Sequence, residues 1–232
     1  MSERLILFAK RPRLGAVKTR LVPPLSAEQA LALYEAFLED QIRFVRSLAG
    51  PGREIELSTD KTWAPEGKLA AAAGEMTLTE QGTGDLGDRL HRAFVRSRAG
   101  GAERTVIVGA DAPTLPPDRV EEAFRELATG AAAVVSPADD GGYVLIGLAD
   151  PSPALFDEIP WGGSEVMETT RRRAEVEGIA LVEIAPWYDV DESESLGRLE
   201  REIETPAGLC RAPATARALG APPLSRTTAE NG

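Results

Sequence analysis

Five basic side chains crowd a short segment near the start of the chain. They are Lys10, Arg11, Arg13, Lys18 and Arg20. The segment follows an apolar run that predicts a buried strand, and it leads towards the first helix. In an open α/β sheet, ligands bind beyond the carboxyl ends of the strands, and a loop entering a helix there offers backbone N–H groups to anions. On a chain with a formal net charge of -11, this basic segment predicts a site for a phosphate-bearing ligand. A solvent-exposed basic turn is the simpler alternative.

Acidic side chains follow two later apolar runs. Asp111 comes directly after one predicted strand, so its carboxylate should project at the same sheet edge as the basic segment and could hold a cation there. Its alternative role is to cap a turn or the following helix. Asp189 and Asp191 are two residues apart and would share one face of an extended segment.

Two acids and two glycines stand before another apolar run, in Asp139-Asp140-Gly141-Gly142-Tyr143. Glycines leading into a short strand suit a backbone that passes close to a ligand. The same Asp-Gly-Gly segment is also a good hairpin turn. Trp161 and Trp187, which come later in the chain, are as suited to packing in the core as to stacking on a nucleotide base.

Composition narrows the class of protein. The chain has 232 residues, of which 43% are hydrophobic and 27% charged, as expected for one large α/β domain or two small ones. Lys10 interrupts the first apolar run, so we expect no signal peptide, no membrane segment and a cytoplasmic protein. Cys210 and His91 are the only residues of their types, so any metal must be held by oxygen ligands. The negative net charge favours a small anionic ligand over nucleic acid as the partner.

Apolar runs alternate with helical patterns along most of the chain. Strands are predicted at residues 4–9, 53–59, 76–79, 104–108, 131–136 and 179–184, with a short strand after Gly142. Helices are predicted at 64–73, 118–128, 165–177 and 192–204, with another opening near Leu90. The first helix should begin at Ser26, which has capping-box spacing to Gln29, and stop at Gly50. The β-α-β order predicts right-handed crossovers and a largely parallel sheet.

A glycine pattern offers a rival function. Gly82, Gly84 and Gly87 satisfy G-x-G-x-x-G, and the next predicted strand ends in Asp111, which imitates the dinucleotide-binding fingerprint of an NAD-dependent oxidoreductase. Three observations weigh against this interpretation. The glycines follow a later strand instead of the first, the basic segment would have no role, and prolines crowd the residues after the acid.

Several of these segments together resemble one known family. They are Phe8-Ala9-Lys10, Gly15-x-x-Lys18-Thr19-Arg20-Leu21, Gly84-Asp85-Leu86-Gly87-x-Arg89-Leu90, Gly109-x-Asp111-x-Pro113, Asp140-Gly141-Gly142-Tyr143 and Tyr188-Asp189-Val190-Asp191. The set is similar to the transferase family associated with radical-SAM and selenodomain genes, which is described as glycosyltransferase-like. More distantly it resembles the phospholactate guanylyltransferases and the molybdenum-cofactor nucleotidyltransferases. The latter groups have Thr-Pro after a late Asp-x-Asp, where this chain has Glu192-Ser193, so the metal ligand could be Asp189 or Asp191.

The resemblance implies a fold and a set of site residues. The fold would be α/β, a three-layer, mostly parallel open sheet of the GT-A (nucleotide-diphospho-sugar transferase) type. Residues 1–204 would form a single transferase domain, and residues 205–232 a C-terminal Pro/Ala-rich extension that contributes packing, with one helix starting at Pro213. The catalytic residues would be Lys18, Asp111 and Asp191, with Asp111 and Asp191, or Asp189 as substitute, holding Mg²⁺ or Mn²⁺. Nucleotide would be bound by Lys10, Gly15, Lys18, Arg20, Gly84 and Asp85, and the acceptor by Asp140, Gly141, Gly142 and Trp161.

Two chemistries fit these residues. A glycosyltransferase would take an NDP-sugar donor and a small-molecule acceptor, and the family's description favours it. A nucleotidyltransferase would transfer NMP from an NTP to a small phosphorylated acceptor, and the basic segment favours that one because it could hold the β and γ phosphates. A third alternative is a nucleotide-binding module without turnover. The base, the sugar, the acceptor and the oligomeric state stay open at this point.

Overall fold

The computed structural model describes residues 2–220 and contains one seven-stranded sheet. The strands are β1 (Glu3–Ala9), β2 (Arg53–Thr59), β3 (Thr77–Glu80), β4 (Arg104–Gly109), β5 (Ala133–Pro137), β6 (Tyr143–Leu148) and β7 (Leu181–Glu183). Their order is β3-β2-β1-β4-β6-β5-β7. Only β6 runs antiparallel to its neighbours within this sheet, pairing with β4 and β5. The prediction of an α/β fold with a mostly parallel sheet is confirmed.

Helices cover both faces of the sheet. They are α1 (Ala27–Ser47), α2 (Gly67–Ala73), α3 (Leu86–Ala99), α4 (Pro117–Thr129), α5 (Val166–Val176), α6 (Ser193–Ile203), α7 (Pro206–Arg211) and α8 (Pro213–Ala218). The capping box at Ser26 and Gln29 is present, as predicted. Helix α2 begins three residues later than predicted, because Pro65 disfavours helical backbone at Ala64. No helix among residues 2–220 is long and apolar enough to cross a membrane.

Strand β1 shows why the core has two halves. Side chains alternate across a strand, so Leu5 and Leu7 pack with α1, α2 and α4 on one face, whereas Ile6 packs with α3 and α5 on the other. All three are fully buried. Burial on both faces explains why this strand is apolar from Leu5 to Ala9.

The residues after α6 pack against α1. Helix α8 begins at Pro213, as predicted, and its neighbour Ala212 lies in a third apolar cluster with Phe37 of α1. The buried carboxylate of Asp40 accepts hydrogen bonds from the backbone amides of Ala214 (2.9 Å) and Thr215 (2.7 Å). This connection ties the end of the described chain to the main domain. Residues 221–232 of the predicted extension lie outside the described residues.

Candidate functional site

A cavity of about 470 Å³ opens at the carboxyl ends of β1 and β4. Its lining includes six charged residues that the sequence predicts to act there: Lys10, Lys18, Arg20, Asp111, Asp140 and Asp191. The parallel arrangement of β1 and β4 brings the basic segment and Asp111 to one sheet edge, as expected for an open α/β sheet.

At this edge of the sheet, the ammonium group of Lys18 contacts three oxygen atoms from separate residues. It forms an ion pair with Oδ1 of Asp111 and lies 2.9 Å from Oδ1 of Asp191. It also donates a hydrogen bond to the backbone carbonyl of Val190, at 2.8 Å. The Lys18 side chain is only 2% exposed. Two carboxylates from distant parts of the sequence therefore share one buried cation.

The backbone at Lys18 is strained. Its φ of 49° and ψ of 36° place it in the left-handed region, just before a 3-10 helix at Thr19–Leu21. Such a conformation costs a residue with a Cβ about 1–2 kcal/mol, and residues held this way cluster at functional sites. Gly15, at φ 71°, supplies the earlier turn of the same loop but does not line the cavity. Tyr34 holds the loop's start, because its hydroxyl donates to the carbonyl of Lys10 and accepts from its amide, both at 2.9 Å.

The ionisation of the site follows from these contacts. Burial would lower the pKa of Lys18, but the charges of Asp111 and Asp191 outweigh burial, and the pKa lies above its ordinary value. Burial would raise the pKa of Asp191, but Lys18 lowers it. Among residues 2–220, no cation pairs with Asp189 in this way. Burial and the negative charges of Asp140, Asp191 and Asp111 raise its pKa to about 6.

Hydrogen bonds between distant segments hold Asp111 and Asp191 in place. The amide of Val190 donates to the carbonyl of Asp111 at 2.9 Å. On the other side of the same loop, the Gln41 side chain of α1 donates to the carbonyl of Ala112. Asp111 does not cap α4, which begins at Pro117 without a side-chain cap. The helix-capping role that the sequence allows is therefore not what this carboxylate does.

The loop before α3 borders the cavity on the β3 side. Asp85 caps α3, because its Oδ1 accepts a hydrogen bond from the backbone amide of Asp88 at 2.9 Å. In the reverse direction, the backbone amide of Asp85 donates to Oδ2 of Asp88. Neither Gly84 nor Asp85 lines the cavity, but Gln81 and Arg89 do. Arg89 donates to the carbonyl of Gly84 at 3.0 Å. Arg89 is not among the predicted site residues, although it lies in the segment from Gly84 to Leu90 that carries the resemblance.

Packing accounts for the glycine pattern at residues 82, 84 and 87. A Cβ at Gly84 would lie 2.2 Å from a carboxylate oxygen of Asp88, and one at Gly87 would lie 2.8 Å from the carbonyl oxygen of Phe156. These glycines allow the loop and α3 to pack closely on their neighbours. They need no dinucleotide to explain them.

The turn between β5 and β6 forms another wall. Gly141 has a φ of 89°, and a Cβ there would lie 2.1 Å from the carbonyl oxygen of Ser164. Its carbonyl accepts from the amide of Met167 at 2.8 Å. Asp140 lines the cavity, whereas Gly141 and Gly142 support the turn behind it. The turn is thus both the hairpin that the sequence allows and part of the cavity wall.

Trp161 lies behind the same wall. Its indole ring packs edge-on against Tyr143, with ring centroids 6.3 Å apart. Tyr143 and Gly162 line the cavity, whereas Trp161 itself does not. Trp161 therefore supports the cavity wall from behind, by packing against Tyr143.

The oxygen atoms around Lys18 are of the kind that bind Mg²⁺ or Mn²⁺. One oxygen each from Asp111, Asp191 and the Val190 carbonyl meets the same cation. Among residues 2–220, no three acidic, histidine or cysteine side chains are grouped to hold a metal. Magnesium typically takes one or two carboxylates and completes its coordination with water and substrate phosphates. The two carboxylates fit that pattern.

Comparison with known proteins identifies the family. Residues 46–163 match the model of DUF2064, described as an uncharacterized protein conserved in bacteria. The chain belongs to this family. No curated protein matches it. A candidate nucleotide-diphospho-sugar transferase from Desulfovibrio desulfuricans G20 is 31% identical to this DUF2064 protein, with 95% of each chain covered and a TM-score of 0.82.

Two more distant structures share the fold. A cytidylyltransferase from Leptospira borgpetersenii is 12% identical, with 95% of this chain and 94% of that chain covered and a TM-score of 0.52. Glucosyl-3-phosphoglycerate synthase from Mycobacterium tuberculosis, in complex with Mn²⁺, UDP-glucose and phosphoglyceric acid, is 16% identical. There 95% of this chain and 80% of that chain are covered, with a TM-score of 0.50. The GT-A type of fold is confirmed, and the likeness to the Desulfovibrio protein agrees with the prediction of a transferase.

Proposed function

We propose that this DUF2064 protein is a metal-dependent glycosyltransferase that takes an NDP-sugar donor and a small-molecule acceptor, as in the radical-SAM and selenodomain-associated family that it resembles. The observation that carries the proposal is the meeting of Asp111 and Asp191 on one cation at the mouth of the cavity. The likeness to the Desulfovibrio protein supports the choice of donor.

Asp111, Asp191 and the Val190 carbonyl would hold Mg²⁺ or Mn²⁺, and the metal would supply positive charge to stabilise a departing diphosphate. Arg20, half exposed beside Asp191, and Lys10 lie where they can contact the same phosphates. Lys18 supplies a further positive charge. Charge-assisted hydrogen bonds to phosphate are among the strong ones, so these residues fix the donor's diphosphate relative to the sheet edge.

The remaining walls would hold the base and the acceptor. Gly84 and Asp85 are proposed for the base or ribose, and Arg89 lines the cavity beside them. Asp140, Gly141, Gly142 and Trp161 are proposed for the acceptor side. Transfer from an activated donor depends on orientation and electrostatic stabilisation. A histidine base is therefore not required for this chemistry.

Nucleotidyl transfer from an NTP is the second candidate function. The observation that favours it is the number of cations around the cavity, since Lys10, Lys18, Arg20 and Arg89 all line it. Such a set could accommodate a triphosphate. A protein that only binds nucleotides would be distinguished from both enzymes by the absence of donor hydrolysis and transfer.

The experiment that tests the proposed metal site compares Asp111→Asn with the parent protein. Calorimetric titration with UDP, CDP, GDP and ADP, with and without Mg²⁺, measures how much of the nucleotide affinity depends on the metal. We expect the variant to remain folded and to lose that dependence. Asp150→Asn is the matched control, because Asp150 is exposed and pairs with Arg98 far from the site. Equal affinity of Asp111→Asn and parent in Mg²⁺ would contradict the assignment.

A further inference from the structure

We infer that Lys18 and the metal ion compete for the same two carboxylates, so that metal binding releases the Lys18 ammonium to bind the donor's phosphates. The inference rests on the proposed function, because it requires a metal at Asp111 and Asp191. It adds a built-in order of events to that site.

The hydrogen-bonding capacity of Lys18 is the first argument. A lysine ammonium has three N–H donors and no acceptor. The structure gives it three oxygen partners, one each from Asp111, Asp191 and Val190. Its side chain is almost completely buried among them. While Lys18 keeps these partners, it has no donor left for a phosphate.

A metal ion at this site would bind the same two carboxylates, those of Asp111 and Asp191. Divalent metals of this kind bind carboxylate and carbonyl oxygens directly, and the ammonium already contacts Oδ1 of both carboxylates and the Val190 carbonyl. Two cations held by the same pair of carboxylates would repel each other. The metal and the ammonium therefore compete for the two carboxylates at this position.

The cavity offers the Lys18 ammonium a second position, away from the carboxylates. It lines the cavity together with Lys10 and Arg20, so an ammonium expelled from the carboxylates faces the proposed phosphate site. The flexible four-carbon stem of lysine permits such a shift. In the metal-free protein, the ammonium offsets the repulsion between the Asp111 and Asp191 carboxylates.

Positive coupling between metal and nucleotide follows. A bound diphosphate would give the released ammonium new partners, so nucleotide should raise the affinity for metal. Linkage requires metal to raise the affinity for nucleotide by the same factor. Without Lys18, metal binding no longer has to displace a cation, and part of this coupling disappears.

Binding of Mn²⁺, followed by electron paramagnetic resonance of the free ion, tests the inference on the full chain. The variants are Lys18→Met and, as control for lost charge, Lys68→Met, whose side chain is exposed on α2. Without nucleotide, we expect Lys18→Met to bind Mn²⁺ at least about tenfold more tightly than the parent. A tenfold change in affinity corresponds to about 1.4 kcal/mol. Added UDP or GDP should raise the Mn²⁺ affinity of the parent more than that of Lys18→Met. Lys18→Met binding no more tightly than Lys68→Met would overturn the inference.

A second measurement uses the unaltered protein, in case Lys18→Met does not fold. Acetic anhydride modifies exposed lysines, and mass spectrometry reports the extent at each position. Modification of Lys18 should increase when Mn²⁺ is added and decrease again with a bound nucleotide, while Lys68 stays constant. Modification of Lys18 that does not respond to Mn²⁺ would also overturn the inference.

The metal site and the competition with Lys18 can be tested separately. If Mn²⁺ binds the parent and Asp111→Asn abolishes that binding, the metal site stands even when Lys18→Met shows no gain. If neither the parent nor Lys18→Met binds Mn²⁺ with or without nucleotide, the proposed metal site itself is wrong, and the competition is wrong with it.

Discussion

Replacing Gly141 by alanine should disturb the cavity wall more than an ordinary glycine replacement does. Gly141 has a φ of 89°, and an added Cβ would lie 2.1 Å from the carbonyl oxygen and 2.7 Å from the carbonyl carbon of Ser164. Both are backbone atoms, so no side chain can turn away to relieve the contact. The turn between β5 and β6 must therefore move away from the segment that leads into α5.

Two effects contribute to the expected loss of stability in Gly141→Ala. The left-handed backbone costs alanine about 1–2 kcal/mol, and overpacking costs about 1–3 kcal/mol. Gly178→Ala is the matched control, since Gly178 has a φ of 65° and nothing lies within 4 Å of its added Cβ. It should lose only the backbone part. The free energy of unfolding should thus fall by about 2–5 kcal/mol in Gly141→Ala and by about 1–2 kcal/mol in Gly178→Ala.

Urea denaturation measures both variants, and activity adds a second readout. Because Asp140 lines the cavity beside the displaced turn, we expect Gly141→Ala to lose transfer to the acceptor. Its nucleotide affinity should persist, since Lys18 and Asp191 lie on other segments. Equal losses of stability in the two variants would refute the argument from close packing. Normal transfer by Gly141→Ala would refute the proposed position of the acceptor.

Two further predictions concern carboxylates whose roles can be separated. Burial, only partly offset by hydrogen bonds from the amides of Thr215 and Ala214, raises the pKa of Asp40 from 3.8 to about 6. The stability that this group contributes should be present below pH 3.8 and be lost as the pH rises through 6, by about 3 kcal/mol. Denaturation of the parent against Asp40→Asn, from pH 4 to pH 7.5, checks this, and parallel pH profiles would contradict it. For Asp85, the serine variant keeps a helix cap whereas the alanine variant loses about 1 kcal/mol of stability. Weaker nucleotide binding by Asp85→Ser would support a ligand role beyond capping, and unchanged binding would exclude one.

Local signals in the sequence were sufficient for most elements. The capping box at Ser26 indicated the start of α1, and the alternation of polar and apolar residues at 53–59 predicted β2 with its observed bounds. The predicted start of α2 was wrong because it ignored Pro65. Helix α7 was missed because its sequence lacks an apolar period, although Thr205 followed by Pro206 is a recognisable cap and first position.

The partners of the site residues were harder to predict, because they depend on contacts between distant segments. The sequence places Lys18 near Asp111 through the order of the strands, but its bond to Val190 spans 172 positions. Nothing local indicates that Asp111, Asp191 and Val190 would together occupy all three N–H donors of the ammonium. Similarly, Asp85 was assigned to the nucleotide, whereas the reciprocal bonds with Asp88 show that its carboxylate already caps α3.

Thermal-shift screening with nucleotides tests the central claim most directly. A ligand that binds only the folded state stabilises it by RT ln(1 + [L]/Kd), about 2.7 kcal/mol at a hundredfold excess over Kd. With Mg²⁺ present, the account predicts that one NDP-sugar raises the melting temperature at least as much as its free NDP, and that the rise shrinks when the metal is removed. A larger response to one NTP than to its diphosphate would favour nucleotidyl transfer instead. Stabilisation by NAD alone, with no response to NTPs or NDP-sugars in Mg²⁺, would contradict the account.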